Sequence, residues 1–141
     1  MKIIDNFFIS NTIYHGQHYR SGLQSLVDIE RLWKLLTFVQ DETIDVETRV
    51  AQGLEGKYYC RGIGKNILTA FLHTFNPDKY GVWNNRTEDT LKILKREPKS
   101  FSNCGKRYAD ITDELFQFTL ECPMYSGKMR QQAYEGYSKS V

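Results

Sequence analysis

Arg61-Gly62-Ile63-Gly64-Lys65-Asn66 runs directly into ILTAFLHTF, residues 67–75. Ile67, Leu68, Phe71, Leu72 and Phe75 fall at helical spacings and cover most of a helix circumference, which predicts the most buried helix of the chain. Asn76-Pro77-Asp78-Lys79 ends it, because proline cannot continue the hydrogen-bond ladder and disfavours helix in the residue before it. Ahead of the helix, two glycines flank one aliphatic residue. That spacing predicts a tight loop in which Ile63 turns into the core while the glycines take conformations closed to other residues.

Working outward, Ser25 to Val39 carries Leu26, Ile29, Leu32, Trp33, Leu36 and Val39 at three- and four-residue steps, an amphipathic helix. Thr43 to Leu54 predicts a thinner stripe through Ile44, Val46, Val50 and Leu54, stopping at Gly53–Gly56. Tyr58-Tyr59-Cys60 reads as briefly extended. On the other side, Val82 and Trp83 lead into Asn84-Asn85-Arg86-Thr87-Glu88. Asn85 with Glu88 three residues on predicts a capping box that opens a helix through Leu91, Ile93 and Leu94, closed by Pro98. Tyr108, Ile111, Leu115 and Phe118 define a further helix over Cys104 to Glu121. A last polar helix is expected around Met129–Tyr137. Nothing alternates with period two over more than a few residues, so the fold class is all-α. The expectation is a single compact domain over residues 1–141 with about six helices and short loops. Its hairpin-like core spans about 58–95, and the polar tail over about 123–141 reads as a mobile end or a partner-binding segment.

Composition agrees. The chain has 141 residues, 40% of them hydrophobic and 26% charged, enough to bury one core and too ordered in character for a disordered segment. No apolar run approaches the roughly 20 residues that a membrane-spanning helix needs. Three cysteines, Cys60, Cys104 and Cys122, are odd in number and form no C-x-x-C pair, which reads as a reduced, cytoplasmic protein. The net charge of +2 conceals a pattern. Residues 1–55 hold 5 Lys/Arg against 8 Asp/Glu, residues 56–107 hold 11 against 4, and residues 108–141 hold 3 against 5. A basic block of net +7 between two acidic flanks is the footprint of a surface for a polyanion.

The G-I-G-K-N string lies inside that block. N–H groups at the start of the following helix point outward, and the helix dipole favours an anion there. A DNA phosphate suits the position, with Arg61 and Lys65 adding charge at its edges. From about Tyr58 to Leu94 the run GIGKNILTAFLHTFNPDKYGVWNNRTEDTL resembles the helix-hairpin-helix superfamily of base-excision DNA glycosylases. It is also similar to uncharacterised prokaryotic helical proteins with an N-P-D-K-Y-x-V-W-N string. The resemblance implies a backbone-phosphate site at Arg61, Gly62, Ile63, Gly64, Lys65 and Asn66. It also implies a catalytic lysine at the position Asn66 occupies and an acidic residue where Asn84 or Trp83 stands. Lys65 is one residue early, which on a helix turns the side chain by about 100°. Asparagine supplies neither a negative charge nor a general base. Asp78 and Glu88 are the nearby acids that could substitute for it, though neither stands at the matching place.

The first reading is therefore a double-stranded DNA-binding domain on a glycosylase-like scaffold without catalysis. A divergent glycosylase or lyase using Asn84, Asp78 or Glu88, and a protein-interaction or homo-oligomeric assembly module, are the alternatives. Trp83 reads as packing against the buried helix rather than as a base-stacking residue. His73 reads as a satisfied core histidine. The His15-x-x-His18 pair lacks a third ligand, so no metal is expected, and no cofactor motif appears.

Overall fold

A computed structural model describes residues 28–98 and 102–122, and among these residues the chain forms five helices and no strand. The helices are α1 (Ile29–Gln40), α2 (Val46–Leu54), α3 (Lys65–Phe75), α4 (Asn85–Ile93) and α5 (Cys104–Glu121). The His15/His18 pair, the Met129–Tyr137 segment and the tail over about 123–141 lie outside the described residues.

One hydrophobic core joins all five. Leu32, Leu35, Leu36 and Val39 enter it from α1, Val50 from α2, and Ile67, Leu68, Phe71 and Leu72 from α3. Leu91 of α4 and Tyr108 and Ile111 of α5 complete it, with Cys60, Ile63, Tyr80 and Trp83 from the connections. α3 buries the widest face, as its circumference of apolar residues predicts. Phe75 is the exception, 39% exposed at its last turn.

The caps set the starts. Asp28, Asp45, Asn84 and Asn103 each accept a backbone N–H three residues on, from Arg31, Thr48, Thr87 and Lys106. α2 thus begins at Val46, later than the apolar spacing predicts, because Asp41 accepts from Thr43 N–H and hydroxyl and holds that segment in a turn. The expected Asn85–Glu88 capping box is not formed. Asn84 is the cap, Asn85 is the first helical residue, and the Glu88 carboxylate is drawn away by three other donors. Nor is Pro98 what ends α4. Lys95 takes φ of 55°, and Lys95 N–H and Arg96 N–H return to the carbonyls of Lys92 and Leu91, a Schellman closure made without glycine. Tyr58-Tyr59 is not extended: its amides bond back to Gln52 and Gly56, and Tyr58 stacks on Phe38 with centroids 3.9 Å apart.

Two features escape the apolar pattern. α2 and α5 cross so closely that a Cβ on Gly105 would stand 1.9 Å from the Glu47 carbonyl oxygen. Arg49, at the seam of the α2 stripe, is 2% exposed. Its guanidinium donates to the Val39 carbonyl at 2.7 Å and to the Tyr80 hydroxyl at 2.6 Å, and that hydroxyl donates on to Glu42 at 3.1 Å. Tyr80 is thereby locked between α2 and the loop that α1 leaves, which fixes the path of the chain after α3.

Candidate functional site

Between α2 and α3 the chain makes the bend that the glycines predict. Ile63 N–H returns to the Cys60 carbonyl at 3.0 Å, closing a four-residue turn. Gly62, third in that turn, has φ of 91°, the region a type II turn reserves for glycine. Ile63 is 1% exposed and anchors the bend among core residues. Gly64, against the expectation, takes ordinary extended backbone at φ −92°, and it faces solvent with open space where a Cβ would stand. It is the N-cap of α3, and it offers no side chain to the first N–H groups, unlike the caps of the other four described helices. Ile67 N–H returns to the Gly64 carbonyl at 3.1 Å, while the N–H groups of Lys65 and Asn66 before it have no intrahelical partner and carry the positive end of the helix dipole.

The cations beside the bend differ from one another. Arg61 is exposed and forms no ion pair among the described residues. Lys65 is committed inward: its Nζ lies 3.0 Å from Glu88 Oε2 and 4.9 Å from the centre of the Trp83 ring. Glu88 Oε1 accepts from Trp83 Nε1 at 3.0 Å and from the Arg107 guanidinium at 2.9 Å and 3.2 Å. Burial alone would raise the Glu88 carboxyl; the bonds from Trp83, Lys65 and Arg107 outweigh it and hold the group down to about 2. Glu88 therefore stays ionised with its oxygens occupied. Asn66, next along α3, is partly buried, and its Oδ1 is buried without a hydrogen-bond partner.

Of the remaining candidates, Asn84 uses its side-chain oxygen on Thr87 N–H and the Thr87 hydroxyl. Asp78 is exposed in the turn after α3, at the far end of a helix about 16 Å long at 1.5 Å per residue, so it does not reach the bend. Trp83 is 5% exposed, donates its backbone N–H to the Thr69 hydroxyl and lies near the Tyr108 ring, as the packing reading has it. His73 is not a core histidine. It is exposed, with Nδ1 2.7 Å from the Tyr80 carbonyl oxygen. Burial raises the Cys60 and Cys104 thiols, which removes them as thiolate nucleophiles at neutral pH. No group of three or more metal-ligating side chains occurs among the described residues.

The basic block is partly neutralised from within. Lys65, Lys79, Arg96, Lys106 and Arg107 each meet a carboxylate, from Glu88, Glu42, Glu114 and Glu121, Glu47 and Asp110, and Glu88 and Glu97 in turn. Charge counting along the chain could not show this, because all the partners but Asp110 are distant in the chain from the cations they meet. A groove of about 510 Å³ opens beside Trp33, Phe38, Ile44 and Tyr58 and contains no bend residue in its lining. No helix of the described residues is long and apolar enough to cross a membrane. The chain matches no protein-family model, no curated protein and no solved structure.

Proposed function

We propose that this chain binds double-stranded DNA through the sugar-phosphate backbone, without sequence readout, using the Gly62–Gly64 bend as a helix-hairpin-helix-like element. One observation carries the reading. The bend brings the uncapped N-terminus of α3 to the surface next to the exposed Arg61, a positive site with unpaired N–H donors. A phosphate oxygen placed there accepts from the amides of the first turn, while the guanidinium takes a second oxygen or the next phosphate. Ile63, held in the core, keeps the bend rigid, so little ordering is required on binding.

Catalysis is not part of the proposal. Asn84 is occupied as a helix cap, and Glu88 is saturated by three donors, so neither is available to take a proton or to face a developing cation.

Titration of a labelled duplex tests the reading. With about three phosphates neutralised, log K falls against log salt with a slope near −2.7, roughly a 40-fold loss of affinity between about 50 and 200 mM salt. Arg61→Ala weakens binding and leaves the melting temperature unchanged. Absence of binding at low salt, or affinity that ignores salt, refutes it.

A further inference from the structure

Glu88 stands in the first turn of α4, and its two oxygens do different work. Oε1 takes Trp83 Nε1 at 3.0 Å and Arg107 at 2.9 Å, tying α4 to α5 and to the segment before it. Oε2 takes Lys65 Nζ at 3.0 Å. Lys65 is the first residue of α3, directly after the exposed Gly64. A fixed carboxylate therefore neutralises the cation nearest the uncapped helix end. It gathers the kinds of donor that a phosphate gathers, ammonium and guanidinium, in a partly buried place where charge-assisted bonds are strong.

We infer that Glu88 is an internal competitor for the phosphate backbone, holding Lys65 back from a strand that settles on the α3 terminus. This rests on the DNA-binding reading above and assigns the regulation of that same site. Release is local. The Trp83 and Arg107 bonds are made at Oε1 and the Lys65 bond at Oε2, so the first two persist when Oε2 loses its partner. Lys65 is 31% exposed along its side chain, so its ammonium needs only a rotamer change to face solvent.

Glu88→Gln separates the two roles. The amide oxygen can replace Oε1 toward Trp83 and Arg107, while the amide NH₂ faces Lys65 as a donor and repels it. Duplex DNA is titrated against the full chain, Glu88→Gln, Lys65→Ala, Arg61→Ala and the Glu88→Gln/Lys65→Ala double variant, each checked by thermal melting. Glu88→Gln binds about three- to tenfold more tightly at low salt, with a log–log salt slope steeper by about 0.9 for the one cation released. Lys65→Ala alone changes affinity by less than about twofold, and in the Glu88→Gln background it cancels the gain. A folded Glu88→Gln protein that binds no more tightly than the parent overturns the inference. So does a Lys65→Ala loss as large as that of Arg61→Ala, and this comparison decides the matter if Glu88→Gln does not fold. If the parent binds and only these differences are missing, the competitor alone fails; if neither the parent nor any variant binds, the DNA-binding reading fails with it.

Discussion

Replacing Gly105 by alanine puts the α2–α5 crossing under direct strain. The new Cβ would lie 1.9 Å from the Glu47 carbonyl oxygen, 2.7 Å from its carbon and 3.0 Å from its Cα. All three atoms are backbone inside α2, so no side chain can rotate to make room. Restoring ordinary contact requires the helices to part by about 1.5 Å, since non-bonded heavy atoms rest near 3.5 Å. That shift loosens Val50 of α2 against Tyr108 and Ile111 of α5, all 1% exposed or less. Overpacking of this kind costs about 1–3 kcal/mol, and more where backbone must move. Alanine is the better helix former by up to about 1 kcal/mol, which opposes the loss. The clash should win, leaving a net loss near 2 kcal/mol, or a melting point lower by about 5–8 °C in a domain of this size. Urea unfolding followed by circular dichroism measures it. A variant as stable as the parent, or more stable, would mean that the helices do not meet at Gly105.

Acid should remove a defined part of the stability. Because the Glu88 carboxyl is held at about 2 when folded against an ordinary value of 4.5, its contribution is fully present above 4.5 and is lost as pH falls through 2. It amounts to about 2–3 kcal/mol, and Glu88→Gln should flatten the unfolding free energy across that interval relative to the parent. Arg49→Ala should cost about 3 kcal/mol in urea unfolding, since it opens a cavity and strands the Val39 carbonyl; a loss below about 1 kcal/mol would show the guanidinium to be dispensable. Lys95→Gly should raise stability by up to about 1 kcal/mol by relieving the positive φ at the α4 terminus, and an unchanged or lower melting point would contradict that geometry.

How far the chain can be read without coordinates depends on the range over which each feature is determined. α5 begins and ends where the spacing of Tyr108, Ile111, Leu115 and Phe118 places it, and α3 follows from its apolar density and Pro77. Both are local properties. In α1 the helix is legible but its rotation is not. Leu32, Leu36 and Val39 are buried as the stripe predicts, yet Trp33 is 64% and Ile29 46% exposed while Leu35 is fully buried. Neighbouring positions differ by only 100° around the axis, and which neighbour faces inward is decided by the elements packed there. Arg49 illustrates the same point more sharply, being a charged residue on the buried edge of a stripe through Val46, Val50 and Gly53. Its position is legible along the chain; its partners Val39 and Tyr80 are not.

The bend shows the opposite balance. Burial of Ile63 and exposure of Gly64 follow from residues adjacent in the chain. The convergence of Lys65, Trp83, Glu88 and Arg107 does not, because it joins residues from three helices and a loop across more than forty positions. Locally, Glu88 three residues after Asn85 suits a capping-box acid. Three tertiary donors outbid one backbone amide, and Asn84 took the cap.

Gly64→Asp tests whether the α3 terminus holds a phosphate. At φ −92° and ψ −177°, with nothing near a Cβ, aspartate fits the position and caps the α3 amides itself. The expected outcome is a protein more stable by about 0.5–1 kcal/mol that has lost its salt-dependent binding to duplex DNA, because its own carboxylate now occupies the phosphate place. Duplex affinity equal to the parent's in the folded variant would show that the α3 terminus does not hold the phosphate.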